Sequence, residues 1–226
     1  MLVIGLTGGV GSGKSTVSQI LEQEYGAFLI DTDSIGHEVK QPGREAYEPI
    51  LELFGKEILD ENGWIDKGKL AERVFVSEPL LQKLNDLTHP AVIREVERRI
   101  LKKRQEGDCS YVVVETALLI ESGLNRCCDV IWYVYAAEDI RRKRLRQSRG
   151  YSEERIQAVL DRQKTDDEFR QVADVVIENS GEREETRRQI HHYMEQRQKH
   201  PKNPSQDGSG SRNQEKPGRG ERNGVM

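Results

Sequence analysis

Cysteine is scarce: Cys109, Cys127 and Cys128 are the three in 226 residues, and no two of them form a C-x-x-C pair. That excludes a disulfide framework and a thiolate zinc site as organising devices, and it makes a reducing compartment, the cytoplasm, the expected location. Long apolar runs are also lacking. The N-terminal apolar stretch is broken by glycines and has no basic flank, so neither a secretion signal nor a membrane helix is expected. There is no surplus of positive charge, with 35 Lys+Arg against 39 Asp+Glu and a formal net charge of -4. A global attraction to nucleic acid or to an anionic membrane is thereby excluded, and any such contact must be local. No internal repeat is visible, and the Asn-Lys-x-Asp segment of a guanine-reading switch is absent. What remains is 35% hydrophobic and 33% charged, enough for one good core with a smaller appended lobe.

The chain is organised around Leu2-Val3-Ile4-Gly5-Leu6-Thr7 followed by Gly8-Gly9-Val10-Gly11-Ser12-Gly13-Lys14-Ser15-Thr16. An apolar run, a glycine-rich loop and an amphipathic segment read as a buried strand, a phosphate-binding loop and a helix start. The frame of Gly8, four residues, then Gly13-Lys14-Ser15 fits the Walker A pattern in its confirming context. Glycines let the backbone curl with N–H groups pointing inward, a nest at a helix N-terminus where partial positive charge meets phosphate. Lys14 is then expected to reach the β- and γ-phosphates of a nucleoside triphosphate, and Ser15 to offer its hydroxyl to Mg²⁺.

Val17, Ile20 and Leu21 carry the following helix to about Gly26. Ala27-Phe28-Leu29-Ile30 is a short buried strand, which puts Asp31 and Asp33 at its carboxyl end, the edge where open α/β sheets bind ligands. Asp33 reads either as a carboxylate facing that ligand or as the N-cap of a helix over Ser34–Val39, and the two roles are compatible. From Pro42 to Gln105 the periodicity is helical, with Pro90 expected to open a long helix through Val92, Val96 and Ile100. His89, immediately before it, would cap, pack or touch a ligand. Ser110–Glu115 is the clearest later strand; Glu115 at its end is either an acidic partner to the Mg²⁺ shell or a solvated cap. Asp129–Tyr135 and Asp174–Ile177 complete a set of short strands separated by helices, which predicts a mainly parallel sheet. Between them lies a basic helix, Asp139–Gly150. It is either a solvated face, a nucleic-acid contact or a phosphate-binding lid, with Ser152 capping the helix that follows and carries Ile156, Val159 and Gln163. A final helix through Thr186 and Ile190 to about Gln198 has few apolar positions and is expected to lie on the surface. From Lys199 to Met226 the composition is too polar to offset ordering entropy, and a disordered tail is expected.

Four segments in order carry a resemblance: Gly5–Ser15, Ile30-Asp31-Thr32-Asp33-Ser34-Ile35, Leu84–Pro90 and Ala173-Asp174. Together with Pro42-Gly43 and Phe54-Gly55 they resemble the dephospho-CoA kinase family from about Met1 to about His192. The resemblance implies an α/β fold, a P-loop NTP hydrolase-type three-layer core with a parallel sheet, within a kinase domain over 1–198. A helical acceptor lobe (about 42–105) and a helical lid (about 139–170) would be inserted in it. It implies transfer of the ATP γ-phosphoryl to the ribose 3′-hydroxyl of dephospho-CoA, the last step of coenzyme A synthesis, with ATP and Mg²⁺ required. By the same resemblance Gly11, Ser12, Gly13, Lys14, Ser15 and Thr16 bind ATP, and Ser15 serves the metal. Asp33 is the general base, with Lys14 and Arg144 as its catalytic partners; His89 and Glu115 join Asp33 on the substrate side. No nucleic acid and no membrane is implied as a partner, and the oligomeric state is left open. The sequence departs from the family pattern at His37, Glu115, Ala117, Arg141 and Ser148, where arginine, aspartate, proline, glutamine and arginine are usual. The nearest rival is another P-loop kinase, for a nucleotide or a small metabolite.

Overall fold

Five short strands lie side by side in one parallel sheet: Leu2–Thr7 (β1), Phe28–Asp31 (β2), Tyr111–Glu115 (β3), Val130–Tyr135 (β4) and Val175–Glu178 (β5). Their order is β2-β3-β1-β4-β5. The structure, a computed structural model, describes residues 1–75 and 77–199. The expected tail therefore lies, apart from Lys199, outside the described residues. Each strand follows from a short apolar run, most of them rich in β-branched residues; the central strands β3, β1 and β4 are buried on both faces as a parallel sheet requires, whereas the edge strands β2 and β5 are partly exposed.

Strand alternation sorts the core into two layers. Val3, Ile30, Val112 and Val114 face one side, where they meet Ile35, Ile50, Val96 and Leu119. Ile4, Leu6, Val113 and Trp132 face the other, against Val17, Ile20 and Ile190. The second layer is built by helices Lys14–Tyr25 (α1) and Arg183–Lys199 (α9). The first is built by Thr32–Glu38 (α2), Tyr47–Phe54 (α3), Lys67–Phe75 (α4) and Glu78–Glu106 (α5), all between β2 and β3. Glu138–Arg149 (α6), Glu153–Leu160 (α7) and Asp166–Val172 (α8) stand between β4 and β5. Each fully buried Ile or Leu in these layers contributes roughly 1.5–3 kcal/mol.

The topology places the site. The connection leaving β1 runs to β2 by way of α1, in the second layer, whereas the connection leaving β3 runs to β4 through Leu119 and Leu124, in the first. Two neighbouring strands whose connections leave on opposite faces open a crevice beyond their carboxyl ends. The register there pairs Leu6 with Glu115, and Glu115 with Asp31. The glycine loop and the two acidic strand ends are thus neighbours by construction.

Three expectations from the sequence need correction. Pro90 does not open a helix; it lies inside α5, which starts at Glu78 after an extended Ser77, with Pro79 in its first turn. Pro79 satisfies the start signal, because the first helical N–H groups have no intrahelical partner to lose. At Pro90 one N–H is sacrificed, and packing of α5 against α2 and α4 keeps the helix continuous. His89 is accordingly a mid-helix residue. Second, α9 is not a surface helix throughout: Thr186, Ile190 and Met194 are buried, and Tyr193 meets Trp132 edge-on at 4.9 Å. One apolar residue per turn suffices when the partner surface is flat. Third, α7 ends at Leu160, so Gln163 stands in the turn beyond it.

Candidate active site

The loop between β1 and α1 owes its shape to glycines in conformations L side chains avoid. Gly13, with φ 90, has no room for a side chain, since a Cβ there would lie 2.1 Å from Nδ2 of Asn179. Gly8 is equally constrained, its Cβ position lying 2.4 Å from the carbonyl oxygen of Val134. The loop is tied from outside as well. The Asn179 carboxamide donates to the Ser12 carbonyl at 2.7 Å and accepts from the Thr186 hydroxyl at 2.7 Å. Gln163 accepts the Val10 N–H at 3.1 Å and also receives a hydrogen bond from Arg141. Arg141 donates in turn to the Val10 carbonyl at 3.1 Å.

Lys14, the first residue of α1, folds back over the loop and donates to the carbonyls of Gly8 at 2.9 Å and Gly9 at 3.4 Å. Burial pushes its ammonium below the ordinary lysine range, Glu115 and Asp33 pull the other way, and Arg141 and Arg149 add to the lowering. A buried cation flanked by arginines on a backbone nest suits a polyanion. Two hydroxyls at this end of β1 support the fit: Ser12 Oγ and Thr7 Oγ1 are buried and have no hydrogen-bond partner among the described residues. Ser15 is exposed at the loop, and its hydroxyl lies 3.5 Å from Glu115, whose other oxygen accepts from Ser18. Hard oxygen donors of this kind match Mg²⁺, which takes few protein ligands and shares its shell with phosphate.

Asp33 is not the cap of α2. That place belongs to Asp31, whose carboxylate accepts the backbone N–H of Asp33 at 3.0 Å and the hydroxyl of Ser34 at 2.6 Å. Asp33 itself stands exposed in the first turn of α2. It borders two cavities. The larger, about 600 Å³, is walled by Gly11, Gly13, Lys14, Ser15, Glu115 and Arg144 as well as by Asp33. The smaller, about 350 Å³, holds Asp33, His37, Lys40, Lys67, His89 and Leu118. Asp33 and Thr116 are common to both. The sequence-derived residues therefore divide into two groups joined at Asp33, with His89 on the far side and Ser12 and Thr16 behind the loop.

Arg144 is placed differently from a free lid cation. Its guanidinium donates to the carbonyls of Ser12 at 3.2 Å and Asn179 at 2.8 Å, with Gly11 at 3.4 Å. It braces the loop while lining the larger cavity. Arg142 and Arg146 are held by Glu153, so part of the basic run is spent within the helices themselves. Arg149, next to Ser148, faces the larger cavity and is close enough to depress Lys14. Sequence reading singled out Arg144 and passed over Arg149, Thr116, Gln163 and Asn179. The adjacencies of Arg149 to Ser148 and of Thr116 to Glu115 were visible signals; Gln163 and Asn179 reach the loop by long-range folding.

Comparison with known proteins points to one family. Residues 2–185 match the family model described as dephospho-CoA kinase. The dephospho-CoA kinase of Carboxydothermus hydrogenoformans is 43% identical over 188 residues, 83% of this chain and 90% of that protein. Among solved structures, TT1252 from Thermus thermophilus is similar with a TM-score of 0.69 and 29% identity, covering 86% of this chain and 97% of that one. The dephospho-CoA kinase from Campylobacter jejuni shares the fold, with a TM-score of 0.66 at 24% identity, over 88% and 98% of the respective chains. A phosphate loop on a parallel sheet, two cavities meeting at one carboxylate, and a family match spanning the whole core lead to one assignment: the chain belongs to the dephospho-CoA kinase family and is an ATP-dependent kinase of coenzyme A biosynthesis.

Proposed function

We propose that the chain transfers the γ-phosphoryl group of ATP to the ribose 3′-hydroxyl of dephospho-CoA, with ATP in the larger cavity and the acceptor in the smaller. The observation that carries this reading is the position of Asp33, the one carboxylate on the wall of both cavities. A hydroxyl presented from the smaller cavity and a phosphoryl group presented from the larger meet beside it. The 3′-oxygen forms its bond to the γ-phosphorus as the bond to the β–γ bridging oxygen breaks, and Asp33 takes the hydroxyl proton.

Lys14 exchanges the carbonyls of Gly8 and Gly9 for the β- and γ-phosphates, a like-for-like trade of acceptors that needs little movement of the loop. Gly11, Gly13 and the start of α1 at Lys14 and Ser15 direct backbone N–H groups at the phosphates, while the Thr16 N–H closes the first turn onto the Gly13 carbonyl. Ser15 and Glu115 would hold Mg²⁺, which when bound neutralises charge on the β- and γ-oxygens. Arg144 keeps the loop in shape through Ser12, while Arg149 supplies a cation toward the charge that spreads over the transferring group. His89 and Thr116 help form the acceptor wall.

The helices between β2 and β3 then act as the acceptor lobe and those between β4 and β5 as the lid, within a single kinase domain. Nucleic acid has no part in this reading, since Arg142 and Arg146 are engaged by Glu153. Among the described residues no helix is long and apolar enough to cross a membrane, and we place the enzyme in the cytoplasm.

A coupled ADP-release assay over dephospho-CoA, AMP and shikimate tests the reading. Dephospho-CoA is expected to stimulate ADP formation strongly, with the product phosphorylated at the ribose 3′-position by phosphorus NMR. Equal turnover with AMP or shikimate, or phosphorylation elsewhere on the acceptor, would reject it.

A further inference from the structure

Beyond Asp33, the smaller cavity is rimmed by three basic side chains from two separate elements: His37 in the last turn of α2, Lys40 just after it, and Lys67 at the start of α4. The same three residues also wall a neighbouring cavity of about 180 Å³, otherwise formed by Gln41, Trp64, Ile65 and Leu70. They therefore stand at the junction of two spaces. On one side is the cavity that contains the proton-accepting carboxylate; on the other is a mainly apolar space beside Trp64, which is 47% exposed.

Within the described residues the cluster carries more positive than paired negative charge. Among the described residues, none of the three takes part in a salt bridge. The charge that bears on Lys40 is another cation, Lys67, while His37 feels Lys40 and Lys67 on one side and Asp33 and Asp31 on the other. Lys40 is half-buried, and burial followed by Lys67 holds its ammonium below the ordinary lysine range. Holding a half-buried lysine beside a second, exposed lysine costs stability unless an anion shares them.

The supporting scaffold is rigid. Leu59 and Ile65 form an antiparallel bridge, the Tyr47 hydroxyl donates to the Gly63 carbonyl at 2.5 Å, and the Asp60 carboxylate accepts the N–H groups of Asn62 and Trp64. Lys67 is thus delivered by a fixed turn rather than by a wandering loop.

We infer that His37, Lys40 and Lys67 form the subsite for the diphosphate of the acceptor, with the space beside Trp64, Ile65 and Leu70 receiving the start of its uncharged arm. The inference rests on the acceptor reading given above and adds which residues distinguish that acceptor. A nucleoside diphosphate ester has its ribose, its diphosphate and its arm in that order. The molecule offers a carboxylate, a basic junction and an apolar space in the same order. The lysines bind as point charges that share the diphosphate oxygens, and His37 contributes a ring N–H.

The test is steady-state kinetics on the full chain with Lys40→Ala, Lys67→Ala, and Lys40→Arg as the charge-conserving control. Each alanine variant is expected to raise the KM for dephospho-CoA tenfold or more while the KM for ATP stays within twofold, and Lys40→Arg should recover most of the loss. The inference is overturned if the dephospho-CoA KM stays within twofold of the parent, if the ATP KM rises in parallel, or if Lys40→Arg is as impaired as Lys40→Ala. Should Lys40→Ala melt early, Lys67→Ala decides, because Lys67 is exposed and bears no core packing. A parent enzyme that fails to phosphorylate dephospho-CoA would instead refute the acceptor reading before any variant is compared.

Discussion

The Asp31 carboxylate accepts the backbone N–H of Asp33 at 3.0 Å, so the first aspartate of the Asp-Thr-Asp segment caps α2 and the second keeps its carboxylate for the cavities. The two acidic residues, indistinguishable by type and two positions apart, both border the larger cavity, but only Asp33 also borders the smaller one.

Asp31→Ala should therefore act through stability. Loss of an N-cap costs about 1 kcal/mol, which for a domain of this size lowers Tm by roughly 2–4 °C. Asp31→Asn, which still accepts the N–H, should recover most of that in a thermal melt. Equal loss in both variants would show that the charge, and not the cap, is what matters at Asp31.

Lys14→Ala should suppress turnover on the order of a hundred- to a thousandfold, the range typical of removing one group that stabilises developing charge. Melting temperature should not fall, because the substitution removes a desolvated cation whose hydrogen bonds reach only loop carbonyls. Normal activity with normal ATP affinity would move the catalytic site away from the glycine loop.

Much of this arrangement was legible beforehand, for identifiable physical reasons. A phosphate loop leaves a strict glycine spacing, and parallel strands leave short β-branched runs, so β1 to β5 and the loop could be read directly. The course of α5 could not, because Pro79 and Pro90 carry the same start signal and only packing against α2 and α4 decides between them. The burial of α9 was missed because Thr186, Ile190 and Met194 supply just one core contact per turn. Within the site, Lys14 and Ser15 followed from the glycine spacing, and Asp33 and Glu115 from strand ends. The bracing of the loop by Arg144, Gln163 and Asn179 depends on contacts more than 130 residues apart in the chain, for which no local pattern exists. The same is true of His37, Lys40 and Lys67, whose convergence depends on the turn before α4.

Glu95 offers a test of how α5 is secured to α2. Arg98 and then Arg99 hold its carboxyl well below the usual carboxylate range, at about 2, against the opposing effect of burial. Arg99 also reaches Glu38 at the end of α2, at 2.5 Å. A depressed folded pKa contributes stability above the unfolded value of about 4.3, and that contribution disappears as the pH falls toward about 2. Glu95→Gln should cost on the order of 1–3 kcal/mol at pH 7. The gap between variant and parent should narrow steadily in urea titrations below pH 4. A gap that stays constant between pH 7 and pH 3 would mean that the Glu95 charge is not what binds these helices.

The most direct measurement is single-turnover phosphoryl transfer by Asp33→Asn, with ATP binding and Tm recorded on the same preparation. Asparagine keeps the shape of the side chain and removes only its ability to take a proton, and Asp31 rather than Asp33 caps α2, so the fold should be undisturbed. The account predicts a fall in the transfer rate of about a hundredfold or more, the usual size of lost general-base assistance, with ATP affinity and Tm essentially those of the parent. A variant that transfers the phosphoryl group at a near-parental rate would contradict it, because the carboxylate shared by the two cavities would then have no part in the chemistry.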